Sequence, residues 1–408
     1  NADLPATESD TVRVRLKPND ALTDGTLVTS GAFSVDHKAP VVNNVAAAQG
    51  VGTKIVTITY DLTDHNNSTV DIEVSSDNGV TWNVATTTLS GDVGAGITPG
   101  SGKSVTWNVG VDFNGDYQTD MKVRVRGIDT FGNIGSYAAS AAFMVDTRAP
   151  VIANVTASQD AAADTFTFHY DVSEDAGTVS VLLEISSNNG TSWVVATSTA
   201  AGAVGSGVGS GTGKTVTWNA GTDFNDQETA TMKIRFTATD AYTNASNVSS
   251  ASFALDTKAP RVTNVSGAQT LGTTNVVFTY DLADQNISFI ELSVSSDGGS
   301  AWNVPTGTLS GDVGAGISAG NGKTITWGAG TDFANQQLAT MRVRIRGRDT
   351  FSHASAYVSS ANFSLDTLSP ATLTTADLQQ QPSAGDTTVL IIGSFTETNP
   401  NTNDFYVA

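Results

Sequence analysis

The sequence predicts an all-β chain, in which antiparallel β-sandwich modules follow one another in an elongated array. The first observation is a fixed period: Asp36, Asp146, Asp256 and Asp366 stand 110 residues apart, and each opens a short motif that ends in proline. The second is an alternation of apolar and polar residues with period two, which is typical of half-buried strands. The third is that no helical pattern of useful length occurs. A fixed period indicates one folding unit that recurs along the chain.

The period divides the 408 residues into three whole modules and two partial ones. Modules 1, 2 and 3 span residues 37–146, 147–256 and 257–366. Residues 1–36 are predicted to be the C-terminal strands of a preceding module, and residues 367–408 the N-terminal strands of a further one. Two or three strands alone cannot bury a sandwich core. We therefore expect the chain to be a window from a longer protein, or else neighbouring chains to complete the partial modules by strand exchange.

Seven short strands are predicted in each whole module. In module 1 the alternation is clearest where Val56, Ile58 and Tyr60 point to one side and threonines to the other. Asn78-Gly79 lies between two β runs, which is a strong hairpin signal. Seven strands at this spacing are typical of an immunoglobulin-like or fibronectin-III-like sandwich. The predicted strands cover residues 40–45, 55–62, 70–75, 81–85, 104–108, 121–127 and 141–145.

Each module contains two tryptophans, and we expect both to fill the core between the sheets, because large aromatic side chains mostly serve burial. The alternative for the first of each pair is an exposed position that stacks on a ligand. The pairs are Trp82 and Trp107, Trp193 and Trp218, and Trp302 and Trp327.

Cations and acids lie on the outward sides of two strands that are neighbours in an immunoglobulin-type sheet. We predict cross-strand ion pairs between them, each worth a few tenths of a kcal/mol up to ~1 kcal/mol. A simply solvated face is the alternative. The cations are Lys122, Arg124, Arg126, Lys233, Arg235, Arg342, Arg344 and Arg346, and the acids are Asp71, Glu73, Glu184 and Glu291.

The composition excludes several classes of function. The net charge is −20, and phosphate recognition needs clustered lysine and arginine, so nucleic-acid binding is not expected. The chain has no cysteine, which excludes disulfides, thiolate metal sites and a cysteine nucleophile. No apolar run approaches the ~20 residues of a membrane helix. A secretion signal and any cell-wall or outer-membrane glycan anchor are expected to lie outside this segment.

No catalytic residues are predicted, and we expect no enzymatic activity. The four histidines, His37, His65, His169 and His353, share no repeat position. No combination of serine, histidine and aspartate, and no pair of carboxylates, recurs in a pattern that would support catalysis. No organic cofactor is expected either.

Acidic residues are the best candidates for specific chemistry, as calcium ligands. Each module has an aspartate at the end of its second strand and an acid soon after, another aspartate after the long basic strand, and a closing aspartate at the junction. Calcium takes six to eight oxygen ligands and favours loops rich in carboxylates. A calcium ion at a junction would fix the angle between modules. Turn and capping roles are the alternative. The candidates are Asp61, Asp64, Asp129, Asp146, Asp171, Asp175, Asp240, Asp256, Asp281, Asp284, Asp349 and Asp366.

Three motifs carry a resemblance to a known class of protein. They are Asp-Thr-x-Ala-Pro at the junctions, Asp129-Thr130-Phe131-Gly132-Asn133, and the Gly-Asp-Val-Gly-x-Gly loop that begins at Gly91. Together they resemble tandem immunoglobulin-like repeats of bacterial surface-layer proteins and large surface adhesins. The second and third copies of the central motif differ, and read Asp-Ala-Tyr-Thr-Asn and Asp-Thr-Phe-Ser-His.

The resemblance implies a structural protein on the bacterial cell surface. In such proteins the modules act as stiff spacers and lattice contacts, often with calcium at the junctions. We accordingly expect an extracellular surface-layer subunit that self-associates into a homo-oligomeric lattice. The alternatives are an adhesin or pilus-like binding arm, and a set of spacer modules in a larger secreted enzyme.

Overall fold

The computed structural model describes residues 7–160 and 163–369, together with the backbone of two short strands near the C-terminus. Apart from those strands and residues 367–369, the further module predicted for residues 367–408 lies outside the described residues. In the described part of the chain, no helix is long and apolar enough to cross a membrane.

Short strands make up most of the described chain. The partial first module contains β1 (Glu8–Val12), β2 (Arg15–Leu16), β3 (Val28–Thr29) and β4 (Phe33–Asp36). Module 1 contains β5 (Val41–Gln49), β6 (Ile55–Thr63), β7 (Ser68–Ser75), β8 (Ser90–Gly91), β9 (Gly94–Ile97), β10 (Gly100–Asn108), α1 (Val109–Asp112), β11 (Tyr117–Asp129), β12 (Ala138–Ala139) and β13 (Phe143–Asp146). Module 2 contains β14 (Val151–Gln159), β15 (Thr165–Ser173), β16 (Thr178–Ser186), β17 (Ala201–Gly202), β18 (Gly205–Gly209), β19 (Gly211–Asn219), α2 (Ala220–Asp223), β20 (Glu228–Thr239), β21 (Ala245–Ser249) and β22 (Phe253–Asp256). Module 3 contains β23 (Arg261–Gln269), β24 (Val276–Ala283), β25 (Ser288–Ser295), β26 (Leu309–Gly311), β27 (Gly314–Ile317), β28 (Gly320–Trp327), α3 (Ala329–Asp332), β29 (Gln337–Arg348), β30 (Val358–Ser359) and β31 (Phe363–Asp366), and it is followed by β32 (Gln379–Gln381) and β33 (Leu390–Ile392).

Two sheets form each whole module. In module 1 the four-stranded sheet has the order β5-β6-β10-β8, and the five-stranded sheet has the order β12-β11-β7-β9, with β13 paired to the start of β11. Modules 2 and 3 repeat both orders strand for strand. The strand pairs are antiparallel. This is the arrangement of an immunoglobulin-like sandwich, and it confirms the predicted fold class of tandem all-β modules.

One tryptophan forms the centre of each core. Trp107, Trp218 and Trp327 are 0% exposed, and the Nε1 of each donates a hydrogen bond of 2.9 Å to a carboxylate in the one-turn helix that follows. Because the indole N–H has a buried partner, the large ring can be buried without an unsatisfied donor. The accepting carboxylates are those of Asp112, Asp223 and Asp332.

The first tryptophan of each pair lies outside the core, so the prediction that both would be core residues is wrong for it. These three rings are half-buried on the outer face of the five-stranded sheet. There an arginine guanidinium covers each ring as a cation–π contact, at 4.4, 4.4 and 4.7 Å from the ring centroid. The contacts join Trp82 to Arg124, Trp193 to Arg235 and Trp302 to Arg344.

Residues 81–85 do not form the predicted strand. Only an isolated bridge joins Val84 to Val74. The carboxylate of Asp77 accepts hydrogen bonds from the Thr81 backbone N–H at 2.8 and 3.0 Å, so a side chain binds a donor that a hairpin ladder would use. In the glycine-rich segment that follows, no strand is predicted before residue 104. The structure has two edge strands there, β8 and β9.

Cross-strand ion pairs form on the outer face of the five-stranded sheets for four of the eight predicted cations. Three of the others stand opposite serines in the register, namely Lys122, Lys233 and Arg342. In module 2, Arg235 stands opposite Glu184 in the register, and its Nη2 lies 2.7 Å from Glu184 Oε2. In module 3, Ser293 stands opposite Arg344, which therefore lacks the carboxylate that its counterparts have. The other pairs are Arg124 with Glu73, Arg126 with Asp71, and Arg346 with Glu291.

We expect the Arg235–Glu184 pair to fix strand register more than stability. In a double-mutant cycle with Glu184→Gln and Arg235→Gln, the coupling energy from urea unfolding should be about 0.2–1 kcal/mol, because both side chains remain in contact with solvent. A coupling above about 3 kcal/mol, as found for fully buried pairs, would contradict this assignment.

Candidate functional site

The closing aspartate of each module is held in place by its own module. At the junction between modules 1 and 2, Gln49 Nε2 donates to Asp146 O at 2.9 Å, and Asp146 N donates to Gln49 Oε1 at 2.7 Å. The next residue, Thr147, is buried, and its hydroxyl donates to Phe113 O at 2.6 Å and accepts from Asp116 N at 3.0 Å. These bonds explain the Asp-Thr pair of the junction motif. Gln159, Gln269, Thr257 and Thr367 repeat them.

A loop of the following module meets that aspartate. In module 2, Asp240 Oδ1 accepts hydrogen bonds of 2.8 Å from the N–H groups of Tyr242 and Asn244, and its Oδ2 accepts one of 2.7 Å from Asn244 Nδ2. The same amide nitrogen lies 3.2 Å from Asp146 O. The carboxylate of Asp240 therefore shapes a loop that contacts the end of module 1 directly.

Acidic side chains from two successive modules converge at each described junction. The members of each group offer ligand atoms that lie within 4.8 Å of one another. We name the junctions by the modules that they join, with 0 for the partial first module. The groups are Glu8, Asp36 and Asp64 at junction 0–1; Asp146, Glu174 and Asp240 at junction 1–2; and at junction 2–3 both Glu228, Asp256 and Asp284 and the mixed group Asp256, Asp349 and His353.

Junction 1–2 contains buried acceptor oxygens that have no donor. Asp146 is 1% exposed, and its Oδ1 accepts a hydrogen bond from Arg148 N, whereas its Oδ2 has no partner. Asn244 is also 1% exposed, and its Oδ1 has no partner either. Burial, and then the nearby carboxylates of Asp240 and Asp175, raise the pKa of Asp146 to about 6. These two unpaired oxygens carry negative charge or partial negative charge, which a bound cation would stabilise.

The residues present at junction 1–2 fit calcium. Calcium binds carboxylate and amide oxygens, and it needs no nitrogen or sulfur ligand. Asp146, Glu174 and Asp240 would provide carboxylates, and Asn244 an amide oxygen. Arg148 offsets this negative charge only in part: it lowers the pKa of Asp146 by less than burial and the nearby acids raise it, and its guanidinium forms an ion pair of 3.2 Å with Asp175. A bound cation would supply the missing positive charge and connect the two modules.

Several sequence-predicted ligands are not members of the junction groups. In module 2, Asp171 accepts hydrogen bonds from Asn154 Nδ2 at 2.6 Å and from Gly213 N at 2.7 Å, and these bonds lower its pKa. Such a carboxylate braces its own sheet. Asp61 and Asp281 make the equivalent bonds in modules 1 and 3. Asp175 forms the ion pair described above, and Asp129 organises the loop of module 1. Asp366 closes module 3 next to residues that are not described.

The predicted ligand set lacks three junction glutamates, Glu8, Glu174 and Glu228. Glu8 and Glu228 stand opposite the closing aspartates Asp36 and Asp256 in the strand register. Both lie 28 residues before that aspartate, a shared spacing that could have identified them. At junction 1–2 the register partner of Asp146 is Tyr117, and the glutamate of that group, Glu174, comes from module 2 instead. His353 and Asp36 were also absent from the predicted ligand set.

No family model matches this chain, and no curated protein sequence does. Solved structures that match include four tandem repeats from the extending region of a large adhesion protein, at 16% identity and a TM-score of 0.27, over 88% of this chain and 94% of that one. The sialic-acid-binding region of a Streptococcus sanguinis adhesin matches at 12% identity and a TM-score of 0.21, over 80% of this chain and 77% of that one. Latent PorU from Porphyromonas gingivalis matches at 11% identity and a TM-score of 0.19, over 85% of this chain but 36% of that one.

Proposed function

We propose that this chain is a non-enzymatic structural segment of an extracellular bacterial surface protein of the surface-layer type, whose modules act as stiff spacers and lattice contacts. The observation that carries the proposal is the convergence of acids from two modules around a buried closing aspartate at every described junction. Within the modules, by contrast, the acids that we traced brace turns, helices or strand pairs. Specialised chemistry at the boundaries suits a protein whose task depends on the angle between its modules.

Calcium is the cation that we propose for junctions 0–1 and 1–2. Both groups consist of oxygen ligands, and each contains a buried carboxylate oxygen without a hydrogen-bond partner, Glu8 Oε1 or Asp146 Oδ2. When bound, calcium would join ligands from two modules, and so restrict their relative rotation. Without it, the like charges would repel one another and loosen the junction.

Small-angle X-ray scattering with and without chelator tests the stiffening. We expect removal of calcium to leave the far-ultraviolet circular dichroism unchanged, since the sandwich cores contain no ligand, and to broaden the distribution of interatomic distances as the junctions bend. Identical scattering profiles in calcium and in chelator would contradict the proposal.

Lattice formation separates the surface-layer role from a binding arm. Electron microscopy of the full-length protein in calcium should show ordered arrays if module faces provide lattice contacts. Single, separate particles under the same conditions would favour the adhesin or pilus-like alternative.

A further inference from the structure

Junction 2–3 has a histidine in a loop where its counterparts have asparagine. His353 occupies the loop position of Asn133 and Asn244, and Asp349 Oδ1 accepts hydrogen bonds from the N–H groups of Phe351 and His353 at 2.8 and 2.9 Å, as Asp240 does in module 2. The backbone of the loop is therefore kept. The imidazole Nδ1 lies 2.6 Å from Asp349 Oδ2, where the other loops place an amide nitrogen at 2.7 Å.

Several carboxylates lie close to the imidazole of His353. Asp349 is 7% exposed and Asp256 is 4% exposed, and both offer oxygens within 4.8 Å of a ring nitrogen. Glu228 and Asp284 adjoin Asp256 in a second group. In the described part of the chain, no lysine or arginine forms an ion pair with these four acids. A single imidazole therefore faces an excess of negative charge.

A second substitution accompanies the histidine. His353 Nε2 forms a hydrogen bond with Asp164 Oδ1, from the hairpin of module 2 that follows β14. The residues Lys54, Asp164 and Thr274 are counterparts, because each stands five positions after the glutamine that binds the closing aspartate of its module. Among them only Asp164, at the junction that has the histidine, is acidic. Histidines that bind metals typically donate their second N–H to a carboxylate in this way.

We propose that junction 2–3 holds a divalent transition metal, Zn²⁺ in the first instance, through His353 Nδ1 and the carboxylates of Asp349 and Asp256. Asp164 positions the imidazole through Nε2–H, and water completes the coordination. Imidazole favours zinc, copper and nickel, whereas calcium is bound through oxygen. Tetrahedral ligands of zinc lie about 3.4 Å apart at bond lengths near 2.1 Å, so the metal would replace the proton between His353 Nδ1 and Asp349 Oδ2, release it to solvent and widen their separation from 2.6 Å. The inference goes beyond the calcium proposed for the other junctions.

Isothermal titration of ZnCl₂ into the metal-free, full 408-residue chain, in calcium-free buffer, tests the site. The matched variant is His353→Asn, because asparagine is the natural residue at the same position of the other loops. We expect the wild-type chain to bind one zinc equivalent that the variant binds at least about tenfold more weakly, and Asp164→Asn to weaken it by about 10–100-fold. Melting curves check that both variants fold.

Two controls keep the result specific. His169→Asn removes an exposed histidine whose Nδ1 lies 3.3 Å from Thr215 Oγ1 and which belongs to none of the junction groups, and it should leave the titration unchanged. Asp146→Asn removes a ligand of junction 1–2 and should leave it unchanged as well, so failure of the calcium proposal would be seen separately. Equal zinc binding by the wild-type and His353→Asn chains, or no zinc binding at all, would overturn the inference and leave His353 as a protonated bridge between Asp349 and Asp164.

Discussion

Trp218→Ala should destabilise module 2 by about 4–5 kcal/mol, enough to unfold a domain of ordinary stability. The indole is 0% exposed, and its ring centroid lies 5.7 Å from that of Phe166 and 6.2 Å from that of Phe168. Truncation would leave a large cavity, and the carboxylate of Asp223 would lose a hydrogen bond of 2.9 Å. Calorimetry of the whole chain should show one transition moving to much lower temperature while the others remain.

Trp193→Ala is the matched control, since it removes the same ring from the outer face of the same module. There the indole contacts Arg235, whose guanidinium carbon lies 4.4 Å from the ring centroid. A half-exposed cation–π contact is worth about 0.5–1 kcal/mol. If both substitutions moved the transition equally, the distinction between a core and a surface tryptophan would be wrong.

Asp146→Asn should have opposite effects in chelator and in calcium. Without metal, the substitution removes a buried charge that faces Asp240 and Glu174, and the new amide can donate a hydrogen bond to them. We therefore expect the variant to be more stable than the wild-type chain in chelator, by about 1–2 kcal/mol. In calcium the variant lacks a charged ligand, so the wild-type chain should gain stability that the variant does not.

Thermal melting of both chains, with calcium and with chelator, measures this reversal. Asp171→Asn is the control, because that carboxylate lies outside the junction and accepts hydrogen bonds from Asn154 and Gly213. It should lose stability by a similar amount in both buffers. If calcium does not change the melting midpoint of the wild-type chain, the proposal of calcium at junction 1–2 is wrong.

The sequence predicted the parts of the fold that depend on period and alternation. The buried face of β6, with Val56, Ile58 and Tyr60, follows from period two, and the ion pair between Arg235 and Glu184 follows from strand order. The outer position of Trp193 could not be predicted in this way, because it depends on side-chain bonds in the preceding turn and on the arginine that covers the ring.

The junctions were predictable only in part. The closing aspartates stand out because they recur, and Asp64, Asp240, Asp284 and Asp349 follow strands that end beside them. Contacts across a module boundary join residues far apart in the chain, as His353 and Asp164 do at a separation of 189 residues. Single-sequence patterns do not report such pairs. His353 occurs in only one of the three modules, so a comparison of recurring residues does not identify it.

The bonds between Gln49 and Asp146 have a mechanical consequence. Gln49 ends the first strand of module 1 and Asp146 ends the last, and both ends lie at the junction with module 2. Tension applied along the chain would pull β5 and β13 past each other lengthwise. The paired hydrogen bonds then bear the load together in shear and do not open one by one. We expect these bonds to raise the force that is needed to unfold each module.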